Sequence, residues 1–354
     1  MSARAIVTLL RDPARAADVR DWAGVLTAAR AESLLATLAH RLDGQGVPER
    51  VAQLLEAARA DAAQAQRHAL WEAEMARRAL APIGIAPVLL KGTAYVAAGL
   101  AAARGRSVGD LDILVPRDRL ADAEAALLAA GWEWVKDDPY DQSYYRRWMH
   151  ELPPLIHRER DRMIDVHHDI LPLTHRAKPL PGDLLERSRP LPGGLRTLSP
   201  EHMVIHAAAH LIADGDLAGG LRNLWDIDRL CRQFASGDDE FFLSLAEEAA
   251  AHGLLAPTLR ALRLSRRLYG TPLVAYRPPI RVHYRERPSD RLFARRMLAR
   301  DGWGRATRPA LRFGFYLRSH WLRMPPAMLA RHLWIKWRKP RQASRAREAG
   351  PRTA

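Results

Sequence analysis

Cysteine is almost absent from this sequence of 354 residues, which has Cys231 and no other. A single thiol cannot close an intramolecular disulfide, and a cysteine-built zinc cluster is excluded with it. A reducing cytoplasm is the expected home. Long apolar runs are missing as well: no stretch approaches the roughly eighteen residues that a membrane-spanning helix needs. The N-terminal "MSARAIVTLLRDPARA" is interrupted by Arg11 and Asp12 before it could act as a secretory signal. There is no Gly-x-x-x-x-Gly-Lys-[Ser/Thr] phosphate loop, which sets aside the P-loop kinases and ATPases.

Acidic residues are scarce at one end only. Twenty of the 55 Lys and Arg residues lie beyond position 280, against four of the 40 Asp and Glu, so the formal charge of +15 belongs to the C-terminal region. A localised basic excess implies an anionic partner, such as nucleic acid, anionic lipid or acidic protein, and says nothing about the fold of the remainder. What is abundant is ordinary globular material: 48% hydrophobic residues over a length that suits one large domain or two. No internal repeat is visible.

The texture divides the chain into four. Residues 1–81 are rich in Ala, Leu and Arg at helical spacing and predict two or three amphipathic helices. Residues 82–180 alternate short apolar runs with helical stretches: "IAPVLLKG", the segment around Asp112, Trp132–Val135, "HELPPLIHR" and "RMIDVHHDI" predict strands of a small α/β sheet. Residues 181–270 return to helix, with Ser199 as N-cap and Pro200 at the first position of one of them. Residues 271–354 form a basic, Arg- and Trp-rich region that opens on a Pro-rich linker from Thr271 to Pro288.

Within the second of these, "RSVGDLDILVPRD" (106–118) poses a physical problem. Leu111, Ile113 and Val115 alternate with Asp110 and Asp112, so a strand puts the aliphatics on one face and both carboxylates on the other. Two like charges held in an interior need a cation between them. A third carboxylate, Asp165, sits on a separate predicted strand in "MIDVHHDI". Three carboxylates converging at the end of a sheet suit a hard divalent cation such as Mg2+, which takes oxygen ligands and keeps positions for water and phosphate oxygens. Two such ions about 4 Å apart clamp the attacking and leaving oxygens of a phosphoryl transfer.

Together, "LLKGTAYVAAGL", "RGRSVGDLDILVPRD" and "MIDVHHDI" resemble the nucleotidyltransferase superfamily of the DNA polymerase β type. Within it they are similar to an uncharacterised bacterial branch marked by Leu-Lys-Gly followed by Arg-x-x-x-Asp-x-Asp, and the resemblance spans roughly residues 85–235. It implies an α+β fold: a small mixed-sheet nucleotidyltransferase core flanked by an N-terminal helical segment and a C-terminal helical domain. It implies that Asp110, Asp112 and Asp165 are catalytic and hold Mg2+ or Mn2+. Gly92 and Thr93 would form the turn that opens a helix against the nucleotide phosphates, with Thr93 where the superfamily has Ser or Gly, and Lys91, Arg106 and Ser107 would help bind the nucleotide. The implied reaction moves a nucleoside monophosphate from an NTP, ATP among them, to a hydroxyl or phosphate on a small-molecule, saccharide or protein acceptor, with release of pyrophosphate. "RNLWDIDRL", with Arg222 and Asp226, matches a further element of the branch that has no assigned role.

Other readings of the same residues stay open. Lys91 also reads as a solvated residue closing a strand, Arg106 as the ion-pair partner of a carboxylate, and His167 as a hydrogen-bonded core histidine. His202, His206 and His210 share one helix face at a spacing that invites zinc, yet "HAAAH" lacks the glutamate of His-Glu-x-x-His, and packing is the expected role. Trp321, Trp334, Trp337 and the tail arginines are expected to cover the helical domain, with base stacking or a membrane surface as alternatives. For the whole chain, a catalytically silent, antitoxin-like nucleotide-binding module and an adaptor working through its basic tail stand beside the enzyme.

Overall fold

Short apolar runs bounded by turn residues fold as strands: β1 (Val88–Leu89), β2 (Leu111–Leu114), β3 (Trp132–Trp134), β4 (Leu155–His157) and β5 (Met163–His167) all fall within the predicted stretches. The computed structural model describes residues 2–214, 216–238, 240–273 and 284–323. Trp334, Trp337 and most of the predicted linker lie outside them. Two further strands, β6 (Arg189–Pro190) and β7 (Arg196–Thr197), are two residues long, too short for any periodicity to show. All seven join one mixed sheet in the order β3-β4-β5-β2-β1-β7-β6, and with the helices around it the fold is α+β.

Sheet topology sets the neighbours. β2 runs parallel to β5 with Asp112 opposite Asp165 and Leu114 opposite His167. On its other side β2 is antiparallel to β1, whose end leads directly into the helix Lys91–Ala97. The Lys91 turn and the two aspartate strands are therefore brought together by pairing alone. β2 is buried along its whole length, with Leu111, Ile113 and Leu114 at 2%, 0% and 0% exposure. Each such side chain contributes on the order of 1.5–3 kcal/mol of burial.

Four α-helices precede the sheet, Ser2–Arg11, Trp22–Ala31, Leu35–Arg41 and Glu49–Leu80, more than the two or three expected. Asp21 caps the second by accepting the Gly24 N–H at 2.9 Å. The fourth, 32 residues long, buries Ala62, Ala69, Ala73 and Ala76 on one side, small residues that let the chain pack closely against it. It also grips the sheet region by side chains. Gln66 donates to the carbonyls of Ala103 and Arg106 at 2.7 and 2.9 Å, and Glu72 takes both arms of Arg160 at 2.7 and 3.0 Å. Gly105, at φ 67°, lies against this N-terminal layer so tightly that a Cβ would come within 2.5 Å of the Ala36 carbonyl.

After the sheet, Ser199 accepts the His202 N–H at 3.2 Å and starts the helix Pro200–Ala208 as its sequence predicts. This helix runs on into a π-helical turn, Ala209–Asp214, and the helices Gly220–Phe234, Phe241–Ala251, Leu255–Tyr269, Pro288–Met297 and Pro309–Arg323 follow. Arginines of the basic region are committed within the fold: Arg300 reaches Glu32 at 2.6 Å and Arg296 reaches Asp216 at 3.3 Å, while Asp290 of the same region takes Arg263 of the helix Leu255–Tyr269 at 2.6 Å. Among the described residues no helix is long and apolar enough to cross a membrane.

Candidate active site

Lys91 opens its helix with φ 49°, a left-handed conformation that costs a non-glycine residue about 1–2 kcal/mol. The conformation is held from the other end of the side chain, where Nζ donates to Asp112 Oδ1 at 2.6 Å. Next to it, a Cβ on Gly92 would sit 2.6 Å from Arg106 Nε and 3.1 Å from Val108 Cγ2, so only glycine lets the turn rest on Arg106. Thr93 is buried, and its hydroxyl has no hydrogen-bond partner.

Asp112 is 3% exposed and accepts a second hydrogen bond, from His167 Nε2 at 3.0 Å. Burial alone would raise its pKa; the Lys91 ammonium and the His167 imidazole overcome that and hold the carboxyl below the usual range. His167 turns its other nitrogen, Nδ1, toward Glu151 Oε2 at 3.3 Å. Burial works against the imidazolium, yet the hydrogen bond to Asp112 and the Glu151 charge raise its pKa. Asp165 has the opposite fate. Burial first, then the neighbouring Asp112 and Glu151, push its carboxyl up to about 7, and its Oδ1 is enclosed without a partner.

Ligand atoms of Asp112, Asp165 and His167 lie within 4.8 Å of one another, and His150, Glu151 and His167 form an overlapping second group. Asp110 is not part of either: it stands exposed just before β2, and its charge acts on Lys91. The donor set nevertheless fits a hard divalent cation. Two carboxylates face each other across paired strands, one with an orphaned oxygen, and an exposed third stands at the strand entry.

Arg106 is placed differently from the phosphate-binding expectation, and the ion-pair alternative describes it. Its Nη1 donates to Asp226, and its guanidinium lies 5.6 Å from the Tyr95 ring centroid. Asp226 also takes Arg222 from its own helix, and Arg222 donates to Thr37 Oγ1 at 2.5 Å and to the Ala102 carbonyl at 3.4 Å. The "RNLWDIDRL" element thereby gains a role: its Arg and Asp tie the Arg106 loop and the N-terminal helices to the helical domain. Ser107 is exposed and lines a separate cleft with Ala36, Leu54 and Asp61. Residues 105–109 spell Gly-x-Ser-x-Gly, but Ser107 sits in a loop before β2 rather than at a strand-to-helix turn, so this is no nucleophile elbow.

Several residues at the site lie outside the motifs that mark it in the sequence. Glu151 and His150 come from the stretch read only as a strand, and the His150 and His167 rings lie 5.2 Å apart. His206 arrives from the helix Pro200–Ala208; burial, then the charge of Lys91, pushes its pKa well below the usual imidazole range. The three histidines of that helix face therefore do not share a site, since His202 turns to Asp183 and Glu248 instead.

A family model for uncharacterised nucleotidyltransferases matches residues 18–270, a span that includes Lys91, Asp110, Asp112, Asp165 and Asp226. None of the curated proteins compared with the chain matches it. The family match runs over well more than half of the sequence and coincides with the sheet, the paired aspartates and the Arg106–Asp226 tie, and the protein belongs to this uncharacterised nucleotidyltransferase family, whose members are transferases of phosphorus-containing groups.

Proposed function

We propose that the chain transfers a nucleoside monophosphate from an NTP to a hydroxyl or phosphate of an acceptor and releases pyrophosphate, with Mg2+ as its cation and Mn2+ as a substitute. The observation that best supports this is the register of Asp112 and Asp165 on parallel neighbouring strands, with Asp165 Oδ1 buried and unpartnered. An orphaned buried acceptor costs about 1–3 kcal/mol, and a cation would remove that cost. Asp110, Asp112 and Asp165 would hold it. Once bound, a divalent cation neutralises phosphate charge and lowers the pKa of an attacking oxygen.

The remaining work falls to the chain. Lys91, its Nζ on Asp112, is placed to turn onto the triphosphate when nucleotide enters. Gly92 and Thr93 form the turn beneath the phosphates, and Arg106, already neutralised by Asp226, supports that turn rather than contacting phosphate itself. Asp165, by holding the cation, would help lower the pKa of the acceptor hydroxyl that attacks. Ser107 has no part in this arrangement. Positioning and electrostatics carry such a transfer, with little covalent chemistry from the protein.

The test is a screen of the four NTPs with Mg2+ or Mn2+, following pyrophosphate release and transfer of an α-phosphate label to candidate acceptors or to the protein. Release that chelator abolishes is expected with at least one NTP. Nucleotide binding with no release under any condition would instead favour the silent regulatory module.

A further inference from the structure

A second constellation of ligand-type side chains lies in the helical part of the chain, built by the helix Pro181–Glu186 (Asp183), the helix Pro200–Ala208 (His202), and the helix Phe241–Ala251 with its C-cap (Glu248, His252). Ligand atoms of the four all lie within 4.8 Å of one another, and both imidazoles are wholly buried. His202 Nε2 faces Asp183 Oδ2 at 3.2 Å and Glu248 Oε2 at 3.3 Å. One ring nitrogen thus stands between two carboxylates, and a single N–H cannot fully serve both.

The neighbours sort the roles. The Leu180 N–H donates to His252 Nδ1 at 3.1 Å, which makes that nitrogen an acceptor and leaves the proton on Nε2. His252 Nε2 therefore donates to Asp183 Oδ2, at 3.1 Å, and holds that carboxylate in place. Arg187 binds the far oxygen of Glu248, Oε1, at 2.5 Å and so aims Oε2 at His202. Two carboxylates then converge on a buried imidazole with one arginine to offset them, which leaves one negative charge to be met. His202 Nδ1 is enclosed without a partner, so the ring's hydrogen-bonding weight falls on the nitrogen that faces the carboxylates.

We propose that Asp183, His202 and Glu248 bind one borderline divalent transition-metal ion of the Zn2+ class, with His252 and Arg187 orienting the two carboxylates. One imidazole with two carboxylates is a donor set that Zn2+, Co2+ and Mn2+ accept. Its position suggests what it does. The ion fastens the helix Pro181–Glu186, which leads into β6, onto two helices of the bundle, so its effect is on stability rather than on chemistry. Outer hydrogen bonds to ligands are worth roughly 10- to 100-fold in affinity, which sets the weight of His252.

The experiment uses the full chain carrying Asp112→Asn, Asp165→Asn and His167→Gln, so that both overlapping groups at the active site are silenced, stripped with a chelator and titrated with Zn2+ and with Co2+. About one equivalent of either ion should bind, Co2+ should develop a visible d–d absorption, and Zn2+ should raise the melting temperature by several degrees. His202→Gln in the same background should lose all three responses, and His252→Gln should keep the stoichiometry with affinity lowered roughly 10- to 100-fold. Should His202→Gln fold poorly, Glu248→Gln keeps the shape and an oxygen for Arg187 and should also lose the Co2+ spectrum. The proposal fails if neither ion binds, or if the His202→Gln and Glu248→Gln proteins bind as the parent does; the cluster is then a closed hydrogen-bonded knot.

Discussion

Asp112→Asn is expected to lower cation-dependent pyrophosphate release by about 1,000-fold or more while the protein still folds, the scale on which losing one electrostatic contact to a transition state is felt. The substitution keeps volume and one oxygen but removes the charge. In the native chain that charge is shared by Lys91 and His167, at 2.6 and 3.0 Å, inside a strand that is buried throughout. Without it, neither the cation nor Lys91 has its anchor, and transfer loses both the ion and the residue placed to meet the triphosphate. The rate and the thermal melt are measured on one preparation, because a purely structural Asp112 would lower stability and activity together. A variant that melts normally and keeps more than about a tenth of the rate would remove Asp112 from the chemistry.

Asp226→Ala should destabilise the protein by about 3–5 kcal/mol, read as a shift of the urea midpoint at unchanged slope. Asp226 is 2% exposed and neutralises two arginines, Arg106 and Arg222, of which Arg222 is itself 5% exposed. Deleting the carboxylate leaves both cations enclosed, and Arg222 retains only Thr37 and a long contact to the Ala102 carbonyl. Because Arg106 also underlies Gly92, part of the loss should appear at the active site as a weaker grip on nucleotide. A cost below about 1 kcal/mol would mean that the arginines reach water or other partners, and that the tie between core and helical domain is superficial.

The paired aspartates were legible because strand chemistry is local: Asp112 and Asp165 each sit between aliphatics, and the period-2 pattern that buries Ile113 and Val166 also aligns the carboxylates. Arg106 was harder to read, since its partner lies 120 residues further along the chain and no spacing rule connects them. Glu151, His150 and His206 reach the site through tertiary packing, and nothing in "HELPPLIHR" or in a helical histidine face says which way it will turn. The helix Pro139–Trp148 was missed for a different reason. It buries none of its residues, so it has no apolar stripe to find. Its start was nonetheless written in Asp138-Pro139, where the Asp138 side chain caps the Asp141 N–H at 3.0 Å.

The central claim, that Asp112 and Asp165 jointly hold a divalent cation, is tested most directly by Mn2+ binding to nucleotide-free protein from about pH 5 to about pH 9, in a chain whose second cation position is removed by His202→Gln and in the same chain carrying Asp165→Asn. A raised pKa near 7 means that Asp165 carries a proton through the acid half of this range and must lose it to ligate. Affinity in the chain with Asp165 intact should therefore climb as pH rises, roughly tenfold per unit below 7, and level off above it. Lys91, Glu151 and His167 are common to both proteins, so the difference between them reports Asp165 alone. Asp165→Asn should bind weakly and with a much flatter profile. Equal affinities and identical pH profiles in the two proteins would contradict the claim.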